Sequence, residues 1–107
     1  MTMSHMKKHD PKLPTARAIR RACSKELYRT IKRLKVWIDD EKIAAAEQIY
    51  VQKVAHHIIW IVENQQNKKA QANWWAQEVS AEIAQLWNVD QQALIAAFSH
   101  AYTGKQF

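Results

Sequence analysis

The residues of this 107-residue chain best placed to do chemistry are seven cations at helical spacing. Arg17, Arg21, Lys25, Arg29, Lys32, Arg33 and Lys35 fall on one side of a helix that turns ~100° per residue. Guanidinium and ammonium groups sharing one face neutralise anions, by bidentate forks or as point charges. Their natural counterparts are the phosphates of DNA or RNA, or the carboxylates of an acidic protein surface. The only acid nearby is Glu26, at the edge of the arc. A merely solvated face ordinarily mixes both signs.

The remaining chemistry-bearing residues form no comparable set. His5 and His9 have i, i+4 spacing but lie in the polar N-terminal stretch. His56 and His57 are adjacent, so on a helix they diverge by ~100° and cannot chelate one ion together. No carboxylate or cysteine completes a metal-ligand set around any of the five histidines. Cys23 is the single cysteine, which excludes an internal disulfide, and it falls on the apolar side of the first helix. Gly-rich phosphate loops, paired carboxylates in apolar settings and Ser/His/Asp groupings are all missing from the sequence. The expectation is a non-enzymatic protein with no catalytic residue, no metal and no cofactor.

One segment resembles a helix-turn-helix in its spacing. Ala84 sits where two helices would cross, Asn88 follows at the turn, and then come Val89, the cap Asp90 and the inward Leu94. Its would-be recognition helix carries Gln91, Gln92, Ser99 and His100, with no Arg or Lys before Lys105. An ordinary tight corner between bundle helices accounts for the same residues.

The elements needed to hold these groups are helical. One glycine (Gly104) and two prolines (Pro11, Pro14) leave too few turn residues for a sheet, and the long intervals are rich in helix formers. The fold class expected is all-α, a compact bundle of about four helices with the first two long. Residues 1–14 read as a flexible basic N-terminal arm and 15–107 as a single helical-bundle domain. Thr15 is the expected N-cap of helix 1, whose apolar arc is Ala16, Ile19, Cys23, Leu27, Ile31, Leu34, Trp37 and Ile38. Asp39-Asp40-Glu41 suits the start of the next helix, although no Gly or Pro enforces a break there. Helix 2, about 41–64, carries one stripe through Ile43, Tyr50, Val54, His57, Ile58 and Ile61, and a second apolar line through Ile49, His56 and Trp60. Helix 3, about 70–87, buries Ala72, Trp75, Val79, Ile83 and Leu86, and helix 4, about 90–102, offers Leu94, Ile95, Phe98 and Tyr102. Trp37, Trp75 and Trp87 read as core. Ile49, His56, Trp60 and Trp74 make a candidate interface for a partner or for a second copy of the chain, a homodimer.

Charge is distributed as unevenly as the spacing suggests. Residues 1–38 hold eleven Lys and Arg against Asp10 and Glu26, net +9, whereas 39–107 hold five against eight acids, net −3, giving the total of +6. The basic first third therefore rides on a mildly acidic body. The longest strongly apolar run, Ile58–Val62, is far short of the ~20 residues of a membrane span. No secretory signal is visible, so a reducing, cytoplasmic setting is expected. The function expected is a binding module that uses the helix 1 face to contact nucleic acid, as a small DNA/RNA-binding or regulatory protein. The alternative is a protein-interaction bundle (adaptor, inhibitor or immunity-type protein) docking on an acidic protein surface. In size, basicity and helix count the chain is similar to small bacterial immunity proteins, with no shared motif.

Overall fold

A computed structural model describes residues 13–104. They form six helices: α1 Ala16–Leu34, α2 Asp40–His56, α3 Ile58–Glu63, α4 Lys68–Glu78, α5 Ser80–Trp87 and α6 Gln91–Thr103. Among the described residues there is no strand, and no helix is long and apolar enough to cross a membrane. The all-α expectation holds, with six helices in place of about four. Residues 1–12 of the N-terminal arm, and with them His5 and His9, lie outside the described residues, as does Lys105.

The helices start where short polar side chains can cap them. Thr15 Oγ1 accepts from the Ala18 amide at 3.0 Å, Asp39 Oδ1 from Lys42 at 3.0 Å, Asn67 Oδ1 from Ala70 at 3.0 Å and Asp90 Oδ2 from Ala93 at 2.9 Å. Three helices end in the left-handed conformation, at Lys35, Asn88 and Gly104. At Asn88 the Val89 amide reaches back to the Ala84 carbonyl at 3.0 Å and the Asn88 amide to Gln85 at 3.3 Å. Those two bonds are a Schellman closure.

The extra helix boundaries arise without any helix-breaking residue. At His57 the backbone departs to φ −117°, ψ 26°, and the imidazole Nδ1 donates to the Lys53 carbonyl at 3.1 Å, splitting the expected helix 2 into α2 and α3. At Val79 (φ −117°, ψ −37°) the expected helix 3 divides into α4 and α5. Ser80 Oγ donates to the Ala76 carbonyl there, a back-bond of the kind that bends helices. The Val79 break leaves Trp75, Val79 and Ile83 fully buried in one core, whereas beyond His57 only Ile58 and Ile61 pack against it, half-buried.

That core is built around α6, which packs on α1, α4 and α5, while α2 closes against α1 and α5. Trp75, Phe98, Leu27, Ile83, Leu94 and Val79 are fully buried. Trp75 stacks on Phe98 with centroids 3.9 Å apart, and Tyr50 meets both rings edge-on at 6.1 and 6.0 Å. Each such side chain contributes roughly 1.5–3 kcal/mol by leaving water. Trp87 is buried too, and its Nε1 donates to the Lys42 carbonyl at 3.0 Å, tying α5 to the start of α2.

Two expected core residues of helix 1 lie elsewhere. Ala16 is exposed in the first turn of α1. Trp37 lies beyond the end of α1 and is 83% exposed. The helical phase that would carry Trp37 inward is lost when Lys35 turns to φ +57°.

Candidate polyanion-binding face

Helix α1 presents Arg17, Arg21, Lys25, Arg29, Lys32 and Arg33 to solvent along its length, opposite the buried Cys23, Leu27 and Thr30. Lys35, the seventh expected cation, is also exposed, but it stands at the left-handed C-cap and not on the helical face. Lys32 and Arg33 lie in the last turn, where the helix dipole favours positive charge. Among the described residues none of these cations is in an ion pair; the ion pair that does form, Lys53 Nζ to Glu82 Oε1 at 2.9 Å, joins α2 to α5. Arg33 Nη1 donates to the Arg29 carbonyl at 3.2 Å. No other guanidinium or ammonium group of the face makes a hydrogen bond or ion pair among the described residues.

Two residues extend the face beyond what charge spacing selects. Arg20 falls inside the apolar arc on a helical projection, close to its edge, yet it is exposed and lines a shallow depression with Arg17, Arg21, Ser24 and Glu47. Tyr28 projects into the basic arc between Arg17 and Arg21, at ~20° from Arg17 on a turn of ~100° per residue, and is 53% exposed. A wheel drawn for aromatic residues as well as charges would have found it. Two acids border the face: Glu26 is half-buried with its Oε1 enclosed and unpartnered, and Glu47 of α2 shares the depression with Arg17, Arg20 and Arg21.

Beyond the C-terminus of α1, Val36 (42% exposed) and Trp37 form an apolar tip next to Lys35. The basic surface therefore carries an aromatic among its cations and another at its end.

The second candidate set is brought together only in part. Trp60 stacks on Trp74 at 6.4 Å, and the His57 ring stands edge-on to Trp74 at 5.7 Å. These three share a depression with Ala70, Asn73, Gln77 and Glu78. Ile49 is half-buried against the core, and His56 is exposed with its Nδ1 3.0 Å from the Gln52 carbonyl, so neither belongs to that depression. His57, expected on the core stripe, is the histidine that meets the tryptophans.

The corner that resembles a helix-turn-helix is a compact α5–α6 connection. Its second helix supplies Leu94, Ala97, Phe98 and Ala101 to the core, and Gln91 Nε2 donates to Ser80 Oγ at 3.1 Å. The positions of α6 most open to solvent are Gln91, Gln92, Ala93 and Ala96, which offer phosphates no cation.

Cys23 is buried, and burial, followed by Glu47 and Glu26, pushes its thiol up to about 12. A thiol held neutral in this way is a poor nucleophile. Among the described residues no cluster of three His, Cys, Asp or Glu could hold a metal ion. No protein-family model, curated protein or solved structure matches this chain.

Proposed function

We propose that this chain is a non-enzymatic nucleic-acid-binding module that lays the α1 face along a phosphate backbone. The observation that carries the reading is the row of exposed cations from Arg17 to Arg33, with no ion pair among the described residues. From Arg17 to Arg33 the helix rises ~24 Å at 1.5 Å per residue. A duplex presents about one negative charge per 1.7 Å of axis, so several phosphates lie within reach of the face. Because the cations have no partner to give up, the attraction is not offset by breaking intramolecular pairs.

The test is titration against a nucleic acid of random sequence at several salt concentrations. Neutralising about four to six phosphates gives a log–log slope of about −4 to −5 on duplex DNA. No binding at ~50 mM salt, or a slope near zero, would sink the reading.

A second reading, docking on an acidic protein surface, has one observation in its favour. Val36 and Trp37 form an exposed apolar tip beside the cations, the combination that anchors protein hot spots. Trp37→Ala separates the two readings. It leaves duplex affinity within about twofold, whereas loss of a hot-spot anchor costs a protein complex about 2 kcal/mol or more.

A further inference from the structure

On the core side of α1 the structure holds a half-open cavity of about 220 Å³, lined by α1, α2, α3, α4 and α6. Exposed Pro14, Ala18 and Ala22 lie at its rim. Its walls are apolar and aromatic, with the rings of Tyr50, Trp74, Phe98 and Tyr102 among the lining groups. An apolar cavity of about 150 Å³ is already enough to take up benzene. This one has room for a benzene ring and a short chain.

Among the polar groups on that wall, Glu26 and Trp74 each carry a buried atom without a hydrogen-bond partner. Glu26 contributes a carboxyl whose Oε1 is buried without a hydrogen-bond partner. Leaving such an oxygen unpaired costs free energy, and no described side chain donates to it, the wall's own Trp74 indole included. Lys25, Arg29 and Lys68 favour the ionised form of this carboxyl, but they are exposed and none reaches it within ion-pair distance. Gln71, also on the wall, already donates to the Ile61 carbonyl at 3.1 Å and is not the missing partner.

From the buried carboxylate oxygen of Glu26 and the surrounding rings we infer that this cavity is a binding site for a small organic ammonium ion with an apolar body, such as an arylalkylamine. The ammonium group supplies donors to Glu26 and a charge that the aromatic faces attract. The apolar body fills space lined by aliphatic and aromatic side chains. An alcohol of the same shape offers the carboxyl one neutral donor and no countercharge, and an anionic ligand is repelled by it. The inference stands on the core side of α1 and does not depend on the nucleic-acid reading of its outer face.

Calorimetric titration of the full chain with phenethylamine, 2-phenylethanol and 3-phenylpropanoate tests it. Phenethylamine is expected to bind saturably, at least tenfold tighter than the alcohol, with the carboxylate weakest. Glu26→Gln should bring the amine and the alcohol within about threefold of each other while the alcohol still binds, which shows an intact cavity. Ala22→Phe, which narrows the rim, should weaken both. Failure of phenethylamine to saturate the parent protein overturns the inference. So does equal affinity for amine and alcohol, or an amine preference that survives Glu26→Gln.

Discussion

Trp75 and Trp37 share a side chain and meet opposite environments. Trp75 is fully buried against Phe98, and Trp37 stands in solvent after the left-handed turn at Lys35. Truncating Trp75 to alanine should cost about 3–5 kcal/mol, a large share of the roughly 5–15 kcal/mol that holds a small domain together. Trp37→Ala should change stability by less than about 0.5 kcal/mol, because the indole is already in water in the folded chain. Urea denaturation of the two variants measures both. Glu26 allows a pH prediction with a definite sign. Burial raises its carboxyl pKa above the ordinary 4.5, outweighing the lowering by Arg29, Lys68 and Lys25. The fold therefore prefers the protonated form, and stability declines as pH rises from 4.5 through the raised value. Glu26→Gln should make the protein more stable than the parent at pH 7, by an amount that shrinks as pH falls through the raised value and is lost by 4.5. Thermal melts at several pH values decide it; an unchanged difference across that window would contradict the assignment.

At the scale of elements, what could be read in advance follows from how local the determining interaction is. Thr15, Asp39 and Asp90 cap helices through bonds to amides three residues away, so side-chain type and position announce them. Asp90→Ala should cost about 1 kcal/mol, measured by denaturation, because the Ala93 amide at the start of α6 loses its acceptor. The buried faces of α1, α4, α5 and α6 follow the 3.6-residue period that the apolar residues trace in the sequence. The breaks at His57 and Val79 do not. No Gly or Pro marks them, and they depend on how the segments on each side pack against one core, a long-range requirement. Lys35 in the left-handed region is similar: lysine has no special tendency to stop a helix, and the turn carried Trp37 out of the arc that its spacing assigned to it. Within the candidate face, Arg17, Arg21, Lys25, Arg29, Lys32 and Arg33 were legible because they lie within one helix. Arg20 and Tyr28 escaped because charge spacing alone does not see a cation at the boundary or an aromatic among cations.

For the whole molecule, the competing explanations of any polyanion affinity are the α1 face and net charge alone. The chain carries +6 in total, so some attraction to nucleic acid at low salt would follow from charge without any face. Two double reversals of equal charge change separate these explanations. Arg21→Glu with Lys25→Glu strikes the middle of the face. Lys42→Glu with Lys69→Glu removes exposed cations from α2 and α4, away from it. Each pair lowers the net charge by four, from +6 to +2. None of the four side chains is in an ion pair among the described residues, so both variants should fold with little change in stability. If the face is the binding surface, the first pair should reduce the magnitude of the salt slope by about 2, roughly 0.9 for each phosphate no longer neutralised. Its affinity at ~50 mM salt should fall at least a hundredfold, since each reversal also brings an anion against a phosphate. The second pair should leave the slope nearly unchanged and weaken binding only a few-fold. Equal weakening in the two variants would show that total charge, and not the arrangement on α1, governs the interaction.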